Sequence, residues 1–214
     1  MVQLEILLYR EGRSTPFSEW LRSLKDGRAV GIVRARLNRI RLGNFGDCKS
    51  VGGGVDELRI DFGPGYRVYY GRDGSLVVVL LCGGNKRTQA ATLSQRKRIG
   101  GSIWMPRTLV STESYHESLL ESLKNPDEAA QYLNACLEDD DARVFLLALR
   151  DVAEARGGIR ALSRDAHLNR ESLYRMLSKS GNPSLDSLSA VLNACGLRLA
   201  VQSTTLRRRK RRIA

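Results

Sequence analysis

The sequence predicts an α+β protein in two parts: a small antiparallel sheet carrying two helices, then an all-helical segment. Three observations predict it. Alternating and continuous apolar runs, the mark of strands, lie in the first half of the 214 residues. Apolar residues at helical spacing, preceded by capping residues, fill the second half until near its end. The charge divides at the same place. Residues 1–105 carry 18 Lys/Arg against 9 Asp/Glu, residues 106–205 carry 11 against 14, and residues 206–214 carry 6 against none. A basic part beside an acidic part predicts two modules that attract each other.

"VQLEILLY" reads as the first strand. "TPFSEWLRSLKD" reads as a helix, with Thr15 as N-cap, Pro16 at its first position and Glu19 able to reach back. "RAVGIVRARLNRIRLGN" places Val30, Val33, Leu37 and Ile40 on one face and arginines at 34, 36, 39 and 41, and stops at Gly43-Asn44. "ELRIDFGPGYRVYY" reads as a hairpin. Leu58, Ile60 and Phe62 share a face with Tyr66, Val68 and Tyr70; Arg59, Asp61, Arg67 and Tyr69 take the other. "LVVVLLC" (Leu76 to Cys82) suits a buried central strand, and "GGNKRTQA" leaves it as a glycine-rich loop.

The pattern then decays, which predicts a linker containing Met105, a place where a second protein once started. Beyond it, Thr112 is read as the cap of "ESYHESLLESL", and Asn125-Pro126-Asp127-Glu128 as a helix start. "DARVFLLALRDVAEAR" stops at Gly157-Gly158. Three short helices follow, then "GLRLAV", read as a short final strand, and a solvated basic tail, "RRRKRR".

The net charge of +12 favours a polyanionic partner, nucleic acid before membrane. No apolar run is long enough to span a bilayer, and the first residues do not open a signal peptide. The four cysteines lie far apart with no CxxC pair, which fits neither a zinc site nor a disulfide framework. These features predict a cytoplasmic chain with no metal, no cofactor and no membrane partner.

"GGIRALSRDAHLNRESLYRMLSKSGNPSLDSLSAVLNACGLRL" has the spacing of a helix-turn-helix, about residues 158–196. Leu162, Leu168, Leu173 and Leu177 form its expected core around a turn at His167-Leu168-Asn169. Asn169, Arg170, Glu171, Ser172, Tyr174 and Arg175 are the candidate DNA-binding residues of its second helix. From about Tyr115 to Val201 the chain resembles the lambda-repressor-like helix-turn-helix domain of HigA-type antitoxins. It departs at His167, where glycine is common because the position often needs a positive φ.

The blocks "GNFGD", "ELRI", "GPGYRVYY" and "LLCGGNKRTQ" resemble the HigB branch of the RelE/ParE toxin superfamily over about residues 4–97. The resemblance implies a ribosome-dependent endoribonuclease (mRNA interferase) that cuts mRNA and stops translation. It implies Arg59, Arg67 and Lys86 as catalytic residues, and Lys49, Tyr66, Tyr69 and Arg87 as RNA contacts. Arginine suits the work, because its planar fork holds phosphate bidentately and stays charged. Family members often end this domain with a helix bearing an aromatic or a histidine; "ATLSQRKRIGGSIW" stands there instead. His116 and His167 both lie in the second half, so histidine acid–base chemistry within the first is excluded.

The resulting division is a toxin-like domain at 1–97, a linker at 98–111, an antitoxin-like domain at 112–205 and a basic tail at 206–214. The expected protein is a toxin fused to its own antitoxin, with the acid-rich segment 113–141 as the clamp. Its expected partners are its own operator DNA, bound as a homodimer, and mRNA and the ribosome. A transcriptional regulator with a catalytically dead toxin domain stays open beside this. A recombinase fragment is the third reading, and no carboxylate cluster with metal-ligand spacing supports it.

Overall fold

The computed structural model describes residues 3–87, 111–178 and 180–201. Most of the expected linker, with Met105, and the basic tail lie outside them. Strand β1 (Glu5–Tyr9) buries Ile6 and Leu8 on one face and Leu7 on the other. Helix α1 (Pro16–Ser23) starts at the expected proline, but Thr15 makes no capping bond with its side chain. Its hydroxyl instead donates to Glu113 Oε1 at 3.1 Å, 98 residues away in sequence. Glu19 accepts from the Ser14 hydroxyl at 2.8 Å. Helix α2 (Gly27–Arg41) is capped by Asp26, whose carboxylate accepts from the Arg28 amide. It stops where Gly43 takes φ +85°, a conformation that glycine adopts without strain.

The sheet has six strands in the order β2-β3-β4-β5-β1-β6: β2 (Cys48–Ser50), β3 (Val55–Ile60), β4 (Tyr66–Asp73), β5 (Val77–Asn85) and β6 (Thr112–Ser114). The purely antiparallel expectation is corrected in one place. β1 lies beside β5 and runs parallel to it, Glu5 opposite Val77. Parallel neighbours need a long crossover, and the stretch containing α1 and α2 begins it. A second correction concerns Thr112. It caps no helix; it belongs to β6, which pairs antiparallel with the other side of β1. The second half therefore contributes the last strand of the first half's sheet.

Both helices of the first half lie on one face of the sheet. Trp20 of α1 covers Gly83 of β5 so closely that a Cβ there would sit 1.9 Å from its ring. Leu58, Ile60, Tyr66, Val68, Tyr70, Val78 and Leu80 point to this side. On the opposite face Leu7, Val55, Tyr69, Val79, Leu81 and Cys82 form a second, smaller buried cluster.

The second half is helical after β6: α3 (Tyr115–Leu123), α4 (Pro126–Leu137), α5 (Ala142–Ala155), α6 (Gly158–Asp165), α7 (Arg170–Met176) and α8 (Leu185–Ala194). Ser114, Asn125, Asp141, Asn169 and Ser184 each accept a backbone N–H as N-cap. Among the described residues "GLRLAV" forms no strand. Leu199 and Val201 are exposed, and an isolated edge without a partner strand gains nothing from extended pairing. No described helix is long and apolar enough to cross a membrane.

The two halves share one hydrophobic cluster. Leu37 and Ile40 of α2 belong to the same buried group as Leu119, Leu123, Tyr132, Leu133, Val144 and Leu149. The approach of α2 to α4 is close because Gly31 faces the Gln131 carbonyl; a Cβ at Gly31 would lie 2.6 Å from that oxygen.

Candidate functional site

Three groups of polar residues stand out. The first lies on the sheet face away from α1 and α2. Register puts Lys49, Glu57 and Tyr69 on one rung across β2, β3 and β4, and Arg59 opposite Arg67 on the next. Glu57 is buried at 1% exposure, yet it is the hub. Its Oε1 accepts from Arg59 Nε at 3.0 Å and lies 3.4 Å from Arg67 Nε; its Oε2 accepts from the Tyr69 hydroxyl at 2.9 Å. Burial, then the Glu57 bond, raises the Tyr69 phenol well above its ordinary range. The Glu57 bond raises the Arg59 guanidinium.

Arg59 and Arg67 thus converge, as the sequence predicts, with side chains 35% and 17% exposed. Lys86 joins them at the rim. Its amide donates to Gly65 O at 2.9 Å, and Gly65 at φ +76° borders both Lys86 and the Arg67 guanidinium. Lys49 and Arg87 are exposed. The two tyrosines need correcting as base-stacking residues. Tyr66 is buried on the helix side, its ring 6.1 Å from that of Trp20. Tyr69 is wholly buried, with its hydroxyl bound to Glu57. Neither offers a ring face for a base to stack on.

The second group is the contact between the halves. Arg34 Nη2 meets Glu128 Oε2 at 2.9 Å, and Arg28 Nη2 meets Glu138 at 3.1 Å. Arg39 grips Asp139 through Nε and, at 2.7 Å, through Nη2. Deeper in, Arg41 holds Asp151 with Nη1 at 2.6 Å and Nη2 at 3.1 Å. The Tyr132 hydroxyl donates to Asp151 at 2.8 Å and accepts from the Asn38 amide, whose oxygen accepts from Arg41. Burial alone would lower the Arg41 pKa; the Asp151 carboxylate more than reverses this, and the group ends raised. Tyr132 is raised by burial first and Asp151 second, so it stays a neutral donor. Of the four α2 arginines singled out by the sequence, three therefore face carboxylates of the second half. Arg36 is the exception: its guanidinium lies against Gly46, and burial followed by Arg39 lowers its pKa.

The third group is on α7. Helices α6 and α7 are joined by a turn in which His167 takes φ +54°, the conformation the sequence suggested. Ser163 Oγ donates to Leu168 O at 2.7 Å, and Asn169 Oδ1 accepts the Glu171 amide at 2.8 Å. Leu162, Leu173 and Leu177 are buried beneath. Arg170, Glu171, Tyr174 and Arg175 are exposed, Tyr174 at 64%. Ser172 is half-buried, and the Asn169 oxygen is spent on its cap. Arg150 Nη2 donates to Leu177 O at 2.7 Å and ties this unit to α5.

The molecule is thus a basic mixed sheet domain on which an acidic helical segment is docked. Residues 114–203 match the family described as probable addiction module antidote protein. Through that segment the chain belongs to this family, and so to the toxin–antitoxin systems. An uncharacterized protein of Haemophilus influenzae is 51% identical over 87 residues, covering 41% of this chain and 88% of the relative. A second uncharacterized protein of the same organism is 38% identical over 84 residues, covering 39% and 86%. No solved structure matches the chain.

The sequence also offers Glu57 and Asp61 as ion-pair partners of Arg59 and Arg67 on a solvated sheet face; Glu57 does meet both arginines, but it is buried and not solvated. The signal was its i, i+2 spacing to Arg59 on one strand face; nothing in the sequence says that this face is covered.

Proposed function

We propose that the chain is a toxin fused to its own antitoxin. The first half is a RelE/HigB-type toxin that cleaves mRNA and inhibits translation. The second is a HigA-type antitoxin that holds the toxin inactive and, through the helix-turn-helix of α6 and α7, represses its own promoter. One observation carries the reading. Four of the five arginines of α2, Arg28, Arg34, Arg39 and Arg41, are each matched by a carboxylate of the antidote-family segment. Phosphates and carboxylates present the same acceptor geometry to a guanidinium. Tethering keeps the clamp at an effective concentration of roughly millimolar.

In the cleavage reaction the RNA 2′-oxygen attacks the adjacent phosphorus, and the 5′-oxygen leaves with a proton. Arg59 and Arg67 offset the charge that grows on the phosphate oxygens, and Lys86 lies at the rim of the same face. The α7 residues Arg170, Glu171, Tyr174 and Arg175 take the base and phosphate contacts in an operator. A homodimer matches a palindromic site.

The test is a cell-free translation reaction given residues 1–104 or the intact chain at equal concentration. The fragment is expected to stop synthesis and cut the mRNA; the intact chain is expected to do neither. The second reading, a regulator with a catalytically dead first half, draws on Glu57. That carboxylate already engages both arginines, and no histidine stands nearby in the first half. If neither protein affects synthesis, this second reading replaces the first.

A further inference from the structure

The two halves do not close completely against each other. A cleft of about 660 Å³ lies between α1 and the start of α2 on one side and β6, α3 and the start of α4 on the other. Four direct contacts between the halves pin its margin. The Thr15 hydroxyl donates to Glu113, the Phe17 and Tyr115 rings meet edge to face at 6.5 Å, Arg34 meets Glu128, and the Gln131 side chain lies against Gly27. A Cβ at Gly27 would sit 1.9 Å from Gln131 Oε1, so only glycine leaves room for the last contact. All eight of these residues line the cleft, which is thereby held open at a size that small-molecule sites occupy.

The chemistry of the lining selects a ligand. Leu21, Leu24, Val30 and Leu119 give it an apolar wall. Its three carboxylates are already engaged: Glu113 by Thr15 and Arg10, Glu128 by Arg34, and Glu121 by Lys124. Two of its cations are not. Arg22 spends one N–H on the Ser18 carbonyl, and neither Arg22 nor Lys25 meets a carboxylate among the described residues. The uncommitted charge is positive and the uncommitted surface is apolar. A molecule that answers both carries an acidic head on an apolar body.

We propose that this cleft binds a small amphipathic carboxylic acid, its carboxylate at Arg22 and Lys25 and its apolar part against Leu21, Leu24, Val30 and Leu119. The carboxylate takes charged hydrogen bonds from both cations, and the apolar part gains from leaving water. Such a ligand touches both halves at once, so it binds their docked arrangement and, by linkage, holds them together. Binding needs only that arrangement, whatever reaction the first half performs.

The experiment is isothermal titration calorimetry of the intact chain with decanoate, with melting temperatures taken on the same samples. Acetate supplies the head alone, decanol the body alone, and decylamine the same body with the opposite charge. Decanoate is expected to bind one to one and, at ten times its Kd, to raise the melting temperature by about 3–6 °C. Acetate and decylamine are expected to bind at least about tenfold more weakly, on the scale of one charged hydrogen bond. Arg22→Ala with Lys25→Ala changes two exposed side chains and should weaken decanoate about tenfold while leaving decanol unchanged. Ser118→Trp, at an exposed position of α3, fills the cleft from its mouth and should abolish binding of both. An absence of saturable decanoate binding overturns the proposal, as does binding indifferent to the double cation change. Several decanoates per chain, unaffected by Ser118→Trp, mark surfactant adsorption and overturn it too. Should circular dichroism show that Ser118→Trp misfolds, the double cation variant decides alone.

Discussion

Arginines cluster twice in the first half, on α2 and on β3–β4, and the two clusters solve the problem of a buried guanidinium in opposite ways. On α2 the carboxylates come from outside, more than ninety residues along the chain, and the arginines end as internal connections. On the sheet the carboxylate comes from the adjacent rung of the same sheet, and the arginine side chains stay 35% and 17% exposed. The residue type is the same. Where the counter-charge sits decides whether an arginine cements two parts of a chain or is held within one sheet.

The largest effect should come from breaking the deepest external pair. Asp151→Ala leaves Arg41 buried with Asn38 and no carboxylate, a change expected to cost about 3–5 kcal/mol. Urea denaturation of the intact chain measures it. The matched change on the sheet face, Arg59→Ala, removes a partly exposed group and should cost about 1 kcal/mol or less. If the two losses come out equal, the distinction between buried cement and a partly exposed sheet pair fails.

Gly31→Ala sharpens the same contrast through shape. In an exposed helix this change adds about 0.5–1 kcal/mol of stability. At Gly31 the new Cβ would meet the Gln131 carbonyl at 2.6 Å and push α2 from α4. The sign should reverse, to a loss of about 1–3 kcal/mol. A gain in melting temperature would mean that the halves are not so closely packed.

Much of this was legible in the sequence, and the failures are of one kind. The helix start at Asn125, alternation in β3 and β4, and the turn at His167 are local signals, and each is where the sequence places it; Thr15 and Thr112, read as caps, are instead taken up by the β6 segment. Alternation correctly puts Tyr66 and Tyr69 on opposite faces of β4. It cannot say that both faces are covered, so both tyrosines read as available when neither is. The parallel neighbour of β1, the extra strand β6 and the Arg41–Asp151 pair join segments from 70 to 110 residues apart. No periodicity reports such pairings, because they are chosen by the burial of whole faces. Charge blocks did report the association of the halves, since attraction between a basic and an acidic segment needs no register. They did not report which face of the sheet the acidic segment would take.

Alkaline pH probes the cement without a mutation. The Cys136 thiol and the Tyr132 phenol are both raised above their ordinary values of 9.0 and 10.0, by burial first and Asp151 second. A group raised in the folded state contributes stability below its unfolded pKa, and that contribution is lost as the pH climbs toward the folded value. The melting temperature of the intact chain should therefore hold steady to about pH 8.5 and fall beyond about pH 9 to 10. A flat profile to pH 11 would show that water reaches the Arg41–Asp151 network.

The smallest effect expected is at the turn between α6 and α7, remote from both arginine clusters. His167 is exposed and sits at φ +54°, where an L-residue pays roughly 1–2 kcal/mol. His167→Gly relieves that strain but gives the unfolded chain more freedom, worth roughly 0.5–1 kcal/mol against it. The net gain should be a few tenths to about 1 kcal/mol, or about 1–4 °C in melting temperature for a chain of this size. The contacts at α2 and at Glu57 lie elsewhere, so the Asp151→Ala loss should be unchanged in the same background. Stability that instead falls on removing the imidazole would mean that His167 has been kept for a contact of its own, on the face where α7 presents Arg170, Tyr174 and Arg175.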